Sequence, residues 1–106
     1  MRILIFGAAG QLGFELCEQL KGKHEVFGLS RLEADITQLG QVLEKAKNFS
    51  PDVIINAAAY TDVDGCENNK DQAFLVNAIG ARNVAIASRE VGAKLVHIST
   101  DYVFDG

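Results

Sequence analysis

The chain has 106 residues, 48% of them hydrophobic, and a net charge of −4. That length is one domain or part of one, and the apolar content is ample for a packed core. An acidic balance with no basic run excludes a surface built for nucleic acid or anionic membrane, and no apolar run approaches the ~20 residues that cross a bilayer.

Cys17 and Cys66 lie far apart with no CxxC between them. Reduced thiols in a cytoplasmic protein are the expectation. The sequence begins directly on a strand pattern, without a signal-type charged and apolar region. One proline, no repeat and no low-complexity stretch leave no internal domain boundary.

The unbroken apolar run Ile3-Leu4-Ile5-Phe6 predicts a first strand over 2–6, buried on both faces. Gly7-Ala8-Ala9-Gly10-Gln11-Leu12-Gly13 follows. A first helix is expected over 11–21, with Leu12, Leu16 and Leu20 on one face and a left-handed Gly22 ending it. Strand, glycine turn and helix form the context in which a glycine fingerprint carries chemistry. Gly7 lets the chain turn sharply out of the strand. Gly10, lacking Cβ, leaves a pyrophosphate access to the backbone. Gly13 lets the helix pack close to the strand. The free amides near Gln11 and Leu12 then meet the diphosphate at the positive end of the helix dipole.

A second strand is expected over 25–29, followed by Ser30 and Arg31, and a short third strand over 33–35. Thr37 reads as the N-cap of a helix carrying Leu39, Val42, Leu43 and Ala46. Pro51-Asp52 marks a turn before a doubly buried strand over 53–56. A polar loop spans 60–69. A long helix over 71–91 is expected to turn Phe74, Ala78, Ala81, Ala85 and Ser88 to the sheet, and Gly92 stops it. The last strand covers 95–98 and runs into Ser99-Thr100-Asp101.

Apolar strands alternating with helices imply an α/β fold, a Rossmann-like doubly wound parallel sheet. Right-handed crossovers and a glycine turn after the first strand predict strand order 3-2-1-4-5. The topological switch point then lies between the first strand and the strand over 53–56. Ligands bind there, outside the carboxyl ends of the strands. The Gly7 turn, Asn56-Ala57-Ala58-Ala59 and Ser99-Thr100-Asp101 should converge on it. Small side chains at Ala57, Ala58 and Ala59 would let a cofactor ribose lie against the backbone.

The spacing G-x-x-G-x-x-G resembles the extended branch of the short-chain dehydrogenase/reductase superfamily. Phe6 stands where that superfamily usually has Thr, which removes one hydroxyl and leaves the turn. With Asp35-Ile36-Thr37, Asn56-Ala57-Ala58-Ala59-Tyr60-Thr61 and Ser99-Thr100-Asp101-Tyr102-Val103-Phe104-Asp105-Gly106, the whole chain resembles the dTDP-4-dehydrorhamnose reductase family. The resemblance implies an NADPH- or NADH-dependent reductase of a dTDP-linked 4-keto-6-deoxy sugar, acting in deoxysugar synthesis, and leaves a homodimer open. It implies that Asp35 and Ile36 flank the adenine, that Ala59, Tyr60 and Thr61 line the ribose, and that Ser99 is a further cofactor contact. Thr100 would be the catalytic hydroxyl and Asp101 a substrate contact. A hydroxyl fixed at the ketone oxygen stabilises the charge that builds there as hydride reaches the carbon.

A general acid must also deliver a proton. In the superfamily it is a Tyr with a Lys four positions on. Here Asp64 follows Tyr60 at that distance and Gly106 follows Tyr102. The pair is absent, and family enzymes carry it beyond the point where this chain stops. The chain therefore resembles the amino-terminal part of such an enzyme, and the 106 residues alone are expected to be inactive.

Cofactor choice should be decided after the second strand. NAD-selective sites place Asp or Glu there to accept from the adenosine ribose 2′-hydroxyl. Ser30 can instead donate to a 2′-phosphate, and Arg31 can pair with it, unless Arg31 is a solvated loop cation. Other residues have plainer readings. His24 is expected at the surface, and His97 as a hydrogen-bonded core residue. Asp62, Asp64 and Glu67 read as a solvated acidic loop rather than a metal site. Cys66 has no base beside it. Asn77 could support a proton relay or make a structural hydrogen bond. Two other functions stand against the reductase: a non-catalytic regulatory subunit of the methionine adenosyltransferase type, and a nucleotide-sugar epimerase or dehydratase. The Ser-Thr-Asp-Tyr-Val-Phe run argues against the latter.

Overall fold

The computed structural model of the chain describes residues 1–58 and 70–98, with the side chains of 70–76 left aside. The elements run β1 (Arg2–Phe6), α1 (Gln11–Leu20), β2 (Glu25–Leu29), α2 (Leu39–Phe49), β3 (Val53–Asn56), α3 (Lys70–Val91) and β4 (Lys94–His97). All strand pairs are parallel, in the order β2-β1-β3-β4. That is the expected 3-2-1-4-5 order without its outermost strand.

The strand expected over 33–35 does not form, because its backbone amides are used locally. Ser30 O accepts from the amides of Glu33 and Ala34 at 3.0 and 2.9 Å. Ser30 Oγ accepts from the Glu33 amide at 3.4 Å, and Glu33 Oε1 accepts from the Ser30 amide at 2.8 Å. Ser-x-x-Glu is the reciprocal capping pair that closes a helical turn. The Asp35 amide donates to Gln41 Oε1, which leaves no ladder to build.

Period-two alternation sorts the apolar strands into two cores, as burial on both faces requires. Leu4, Phe6 and Ile54 pack with Val42 and Ala46 of α2 and with Val84 and Ala87 of α3. Ile3, Ile5 and Ile55 face the other way, under Leu16, Cys17 and Leu20 of α1. The expected inner face of α3 is displaced. Ala78 and Ala85 are exposed, while Gly80, Asn83, Val84, Ala87 and Ser88 are buried. Phe74 lies outside the described side chains.

Two end signals differ as well. Gly22 is not left-handed; α1 closes on Lys21 in right-handed geometry. Gln38, not Thr37, is the N-cap of α2, and the Thr37 hydroxyl donates instead to Asp35 Oδ1 at 2.7 Å. Gly92 does take the left-handed conformation, with φ 72°. His24 is half-buried rather than at the surface, and its Nδ1 has no partner among the described residues. No helix among the described residues is long and apolar enough to cross a membrane.

Candidate dinucleotide site

Gly7 leaves β1 with φ 83°, a conformation that L side chains rarely adopt. A Cβ there would also sit 2.5 Å from the Ala58 amide nitrogen and 2.8 Å from the Ala57 carbonyl carbon. The turn thus lies directly against the residues that follow β3. Leu29 O accepts from the amides of Gly7 and Ala8, each at 2.9 Å, which ties the turn to the end of β2. Gly13 seats α1 on the turn, since a Cβ there would overlap the Gly7 carbonyl.

Gly10 behaves differently. It is exposed, with φ −73° and ψ 164°, and a Cβ would meet only Gly7 O, at an ordinary 3.5 Å. Packing does not require glycine at this position; glycine keeps the space in front of α1 open. Gly10 is the N-cap of α1 and caps it with no side chain, and the first turn holds no acidic residue. The opening amides of α1, at Gln11, Leu12 and Gly13, are thus available to an anion brought by a ligand.

The first and second of the three expected motifs therefore meet at the switch point between β1 and β3. Ala57 donates its amide to Phe6 O at 3.0 Å. Asn56, 1% exposed, organises the rest. Its Oδ1 accepts from the Ala58 amide at 3.1 Å, and its Nδ2 donates to His97 Nδ1 at 3.1 Å, which places the ring proton on Nε2. Its backbone carbonyl accepts from Ile98 at 3.0 Å. One buried amide thus aligns the ends of β3 and β4. His97 is hydrogen-bonded as expected but exposed, because β4 is the edge strand of the sheet among the described residues. Asn56 has no individual role in the sequence motif; a polar residue closing an apolar strand is the signal available for it.

On the β2 side, Ser30 and Glu33 close the turn described above, and Arg31 is exposed beside them. The Ser30 amide, and after it the Ser30 hydroxyl, holds the Glu33 carboxyl below the ordinary range. The Thr37 amide and hydroxyl do the same for Asp35, with a smaller contribution from the Arg31 charge. Ile36 is fixed from α3. Asn83 Nδ2 donates to Ile36 O at 2.8 Å, and Gly80 leaves room for the Ile36 side chain. Gly80 and Asn83 were missed because their partner lies on the far side of α2 and β3 in the sequence.

Cys17 is half-buried, and burial pushes its thiol up. Asn77 is half-buried on α3. Among the described residues no group of His, Cys, Asp and Glu could hold a metal. Ala59, Tyr60, Thr61, Asp62, Asp64, Cys66, Glu67, Ser99, Thr100 and Asp101 lie outside the described residues.

The profile of the RmlD substrate binding domain matches residues 1–106. The spore coat polysaccharide biosynthesis protein SpsK of Bacillus subtilis is 46% identical over 106 residues, which cover 99% of this chain and 38% of that protein. The dTDP-4-dehydrorhamnose reductase of Aggregatibacter actinomycetemcomitans is 46% identical over 99% of this chain and 36% of its own. A crystal structure of the Bacillus anthracis dTDP-4-dehydrorhamnose reductase in complex with NADP superposes with a TM-score of 0.87 at 50% identity, over 99% of this chain and 38% of that one. The chain thus spans little more than a third of the length of these relatives, and with every residue matched it belongs to the RmlD substrate binding domain family.

Proposed function

We propose that residues 1–106 are the amino-terminal, dinucleotide-binding portion of one domain in a cytoplasmic NAD(P)H-dependent reductase that converts dTDP-4-dehydrorhamnose to dTDP-rhamnose. The observation that carries the reading is the Gly7 turn: it presses on Ala57-Ala58 while the uncapped start of α1 and the open space at Gly10 face the same switch point. That cradle suits a diphosphate. Further support comes from the relatives named dTDP-4-dehydrorhamnose reductase, one of them holding NADP.

In this reading Gly7, Gly10, Gln11, Leu12 and Gly13 hold the pyrophosphate, and Asp35 and Ile36 flank the adenine. Ser30 and Arg31 face the adenosine ribose, where Arg31 favours a 2′-phosphate. Ala57, Ala58, Ala59, Tyr60, Thr61 and Ser99 line the other ribose. When bound, the reduced nicotinamide supplies hydride to the ketone carbon. The Thr100 hydroxyl donates to the ketone oxygen as negative charge develops there, and Asp101 positions the sugar.

The test uses the intact protein. NADPH and NADH are titrated by nicotinamide fluorescence, and turnover of dTDP-4-dehydrorhamnose is followed by loss of nicotinamide absorbance. Both cofactors bind, the keto sugar is reduced, and Thr100→Val lowers turnover roughly 100-fold with cofactor binding kept. Binding without turnover would instead mark a regulatory subunit.

A further inference from the structure

On the basis of the dinucleotide reading, we propose that Glu33 sets cofactor specificity. Held at the carboxyl end of β2, its carboxylate favours the ribose 2′-hydroxyl of NADH and penalises the 2′-phosphate of NADPH. The residue that follows β2 is Ser30, which carries no charge. The turn over 30–34 brings a carboxylate back to that place from three residues further on. Glu33 Oε1 accepts from the Ser30 amide at 2.8 Å, and Ser30 Oγ accepts from the Glu33 amide at 3.4 Å.

Two consequences follow for a ligand arriving at the strand end. The Ser30 amide, a backbone donor at the end of β2, is already taken. A negative charge also stands where that phosphate would come. A carboxylate has two oxygens and about four acceptor directions, so one bond to Ser30 leaves capacity for a ribose hydroxyl. The same bond favours the ionised carboxylate, since the Ser30 amide is the main cause of the lowered Glu33 carboxyl.

Arg31 acts in the opposite sense, as a cation beside the same turn. The Arg31 charge also reaches Asp35, and the Lys45 charge reaches Glu33. Opposed charges at one exposed subsite keep the discrimination small in either direction. A purely structural role for Glu33 would be to close the turn. Glu and Gln serve that role alike in the Ser-x-x-Glu/Gln arrangement. Glu33→Gln therefore retains the acceptor and the turn and removes only the charge.

The experiment measures dissociation constants of NADPH and NADH for the intact protein as wild type, Glu33→Gln and Glu33→Ala, at one ionic strength. In Glu33→Gln the affinity ratio moves toward NADPH by about three- to tenfold, with thermal stability close to wild type. The pair 2′,5′-ADP and ADP, which lacks the nicotinamide half, moves in the same direction. An unmoved ratio in Glu33→Gln, or a ratio that moves only in Glu33→Ala, overturns the specificity role while leaving the dinucleotide reading intact. Failure of the wild type to bind either dinucleotide overturns both.

Discussion

Two glycines of one turn are subject to different constraints. At Gly7 the backbone itself demands glycine, through a φ of 83° and a Cβ position inside contact distance of Ala58. Gly7→Ala should cost at least about 2 kcal/mol of stability, read from urea unfolding. At Gly10 the backbone is extended and a Cβ finds only ordinary contact. Gly10→Val should leave the unfolding midpoint nearly unchanged. It should weaken dinucleotide binding by about 10- to 100-fold, the worth of one or two charged hydrogen bonds to phosphate. Equal losses of stability and affinity in both variants would remove the distinction. The glycine spacing announced the turn in the sequence, since the positive φ of Gly7 and the approach of Gly13 to Gly7 are local, whereas the contact with Ala58 is not. The Ser30–Glu33 turn is equally local: Ser-x-x-Glu is a turn signature, and it overrides the strand expected over 33–35. Asn56 and Asn83 could not be placed, because their side-chain partners lie 41 and 47 residues away.

At the scale of elements, α2 is fastened to β1 by one side chain. Arg2 Nε and Nη2 both donate to Phe49 O, in the last turn of α2. The guanidinium lies 4.2 Å above the Phe49 ring, which in turn tilts against Phe27 of β2 with centroids 5.2 Å apart. Arg2 also pairs with Glu25 at 2.9 Å, but that pair is largely exposed. Arg2→Ala should therefore destabilise the fold by about 1.5–3 kcal/mol, through the lost carbonyl bonds and ring contact. Glu25→Ala should cost no more than about 0.5 kcal/mol. A Glu25→Ala loss as large as that of Arg2→Ala in urea unfolding would shift the weight to the ion pair. The displaced face of α3 belongs to this scale too. Alanines at 78, 81 and 85 have helical spacing but fit either side of a helix. The rotation is set by Gly80, Val84 and Ala87, which must fit against Ile36 and the β1–β3 core.

For the whole molecule, the open edge of the sheet matters most. Among the described residues β4 has a strand partner on one side only, and Val96 is 39% exposed on it. An apolar edge of that kind pairs with other edges. The isolated 106-residue chain should self-associate at high concentration, as seen by analytical ultracentrifugation. Its reduction of dTDP-4-dehydrorhamnose should be below detection, since neither of its tyrosines is followed by a lysine at four positions. A stable monomer at high concentration would show that the β4 edge is protected, and measurable turnover would show that the acid is supplied by another group.

The sequence by itself determined the parallel α/β arrangement, the place of every strand that forms, the glycine turn and the family. These depend on apolar runs, glycine spacing and short motifs, all read within a few neighbouring residues. Tertiary structure alone decided that nothing pairs with β2 on its outer side among the described residues, and which face of α3 is buried. It also decided how Asn56 ties β3 to β4 and how Asn83 holds Ile36. Each of these is a choice between locally acceptable conformations. The choice is made by contacts between segments far apart in the chain, whose meeting no local pattern encodes.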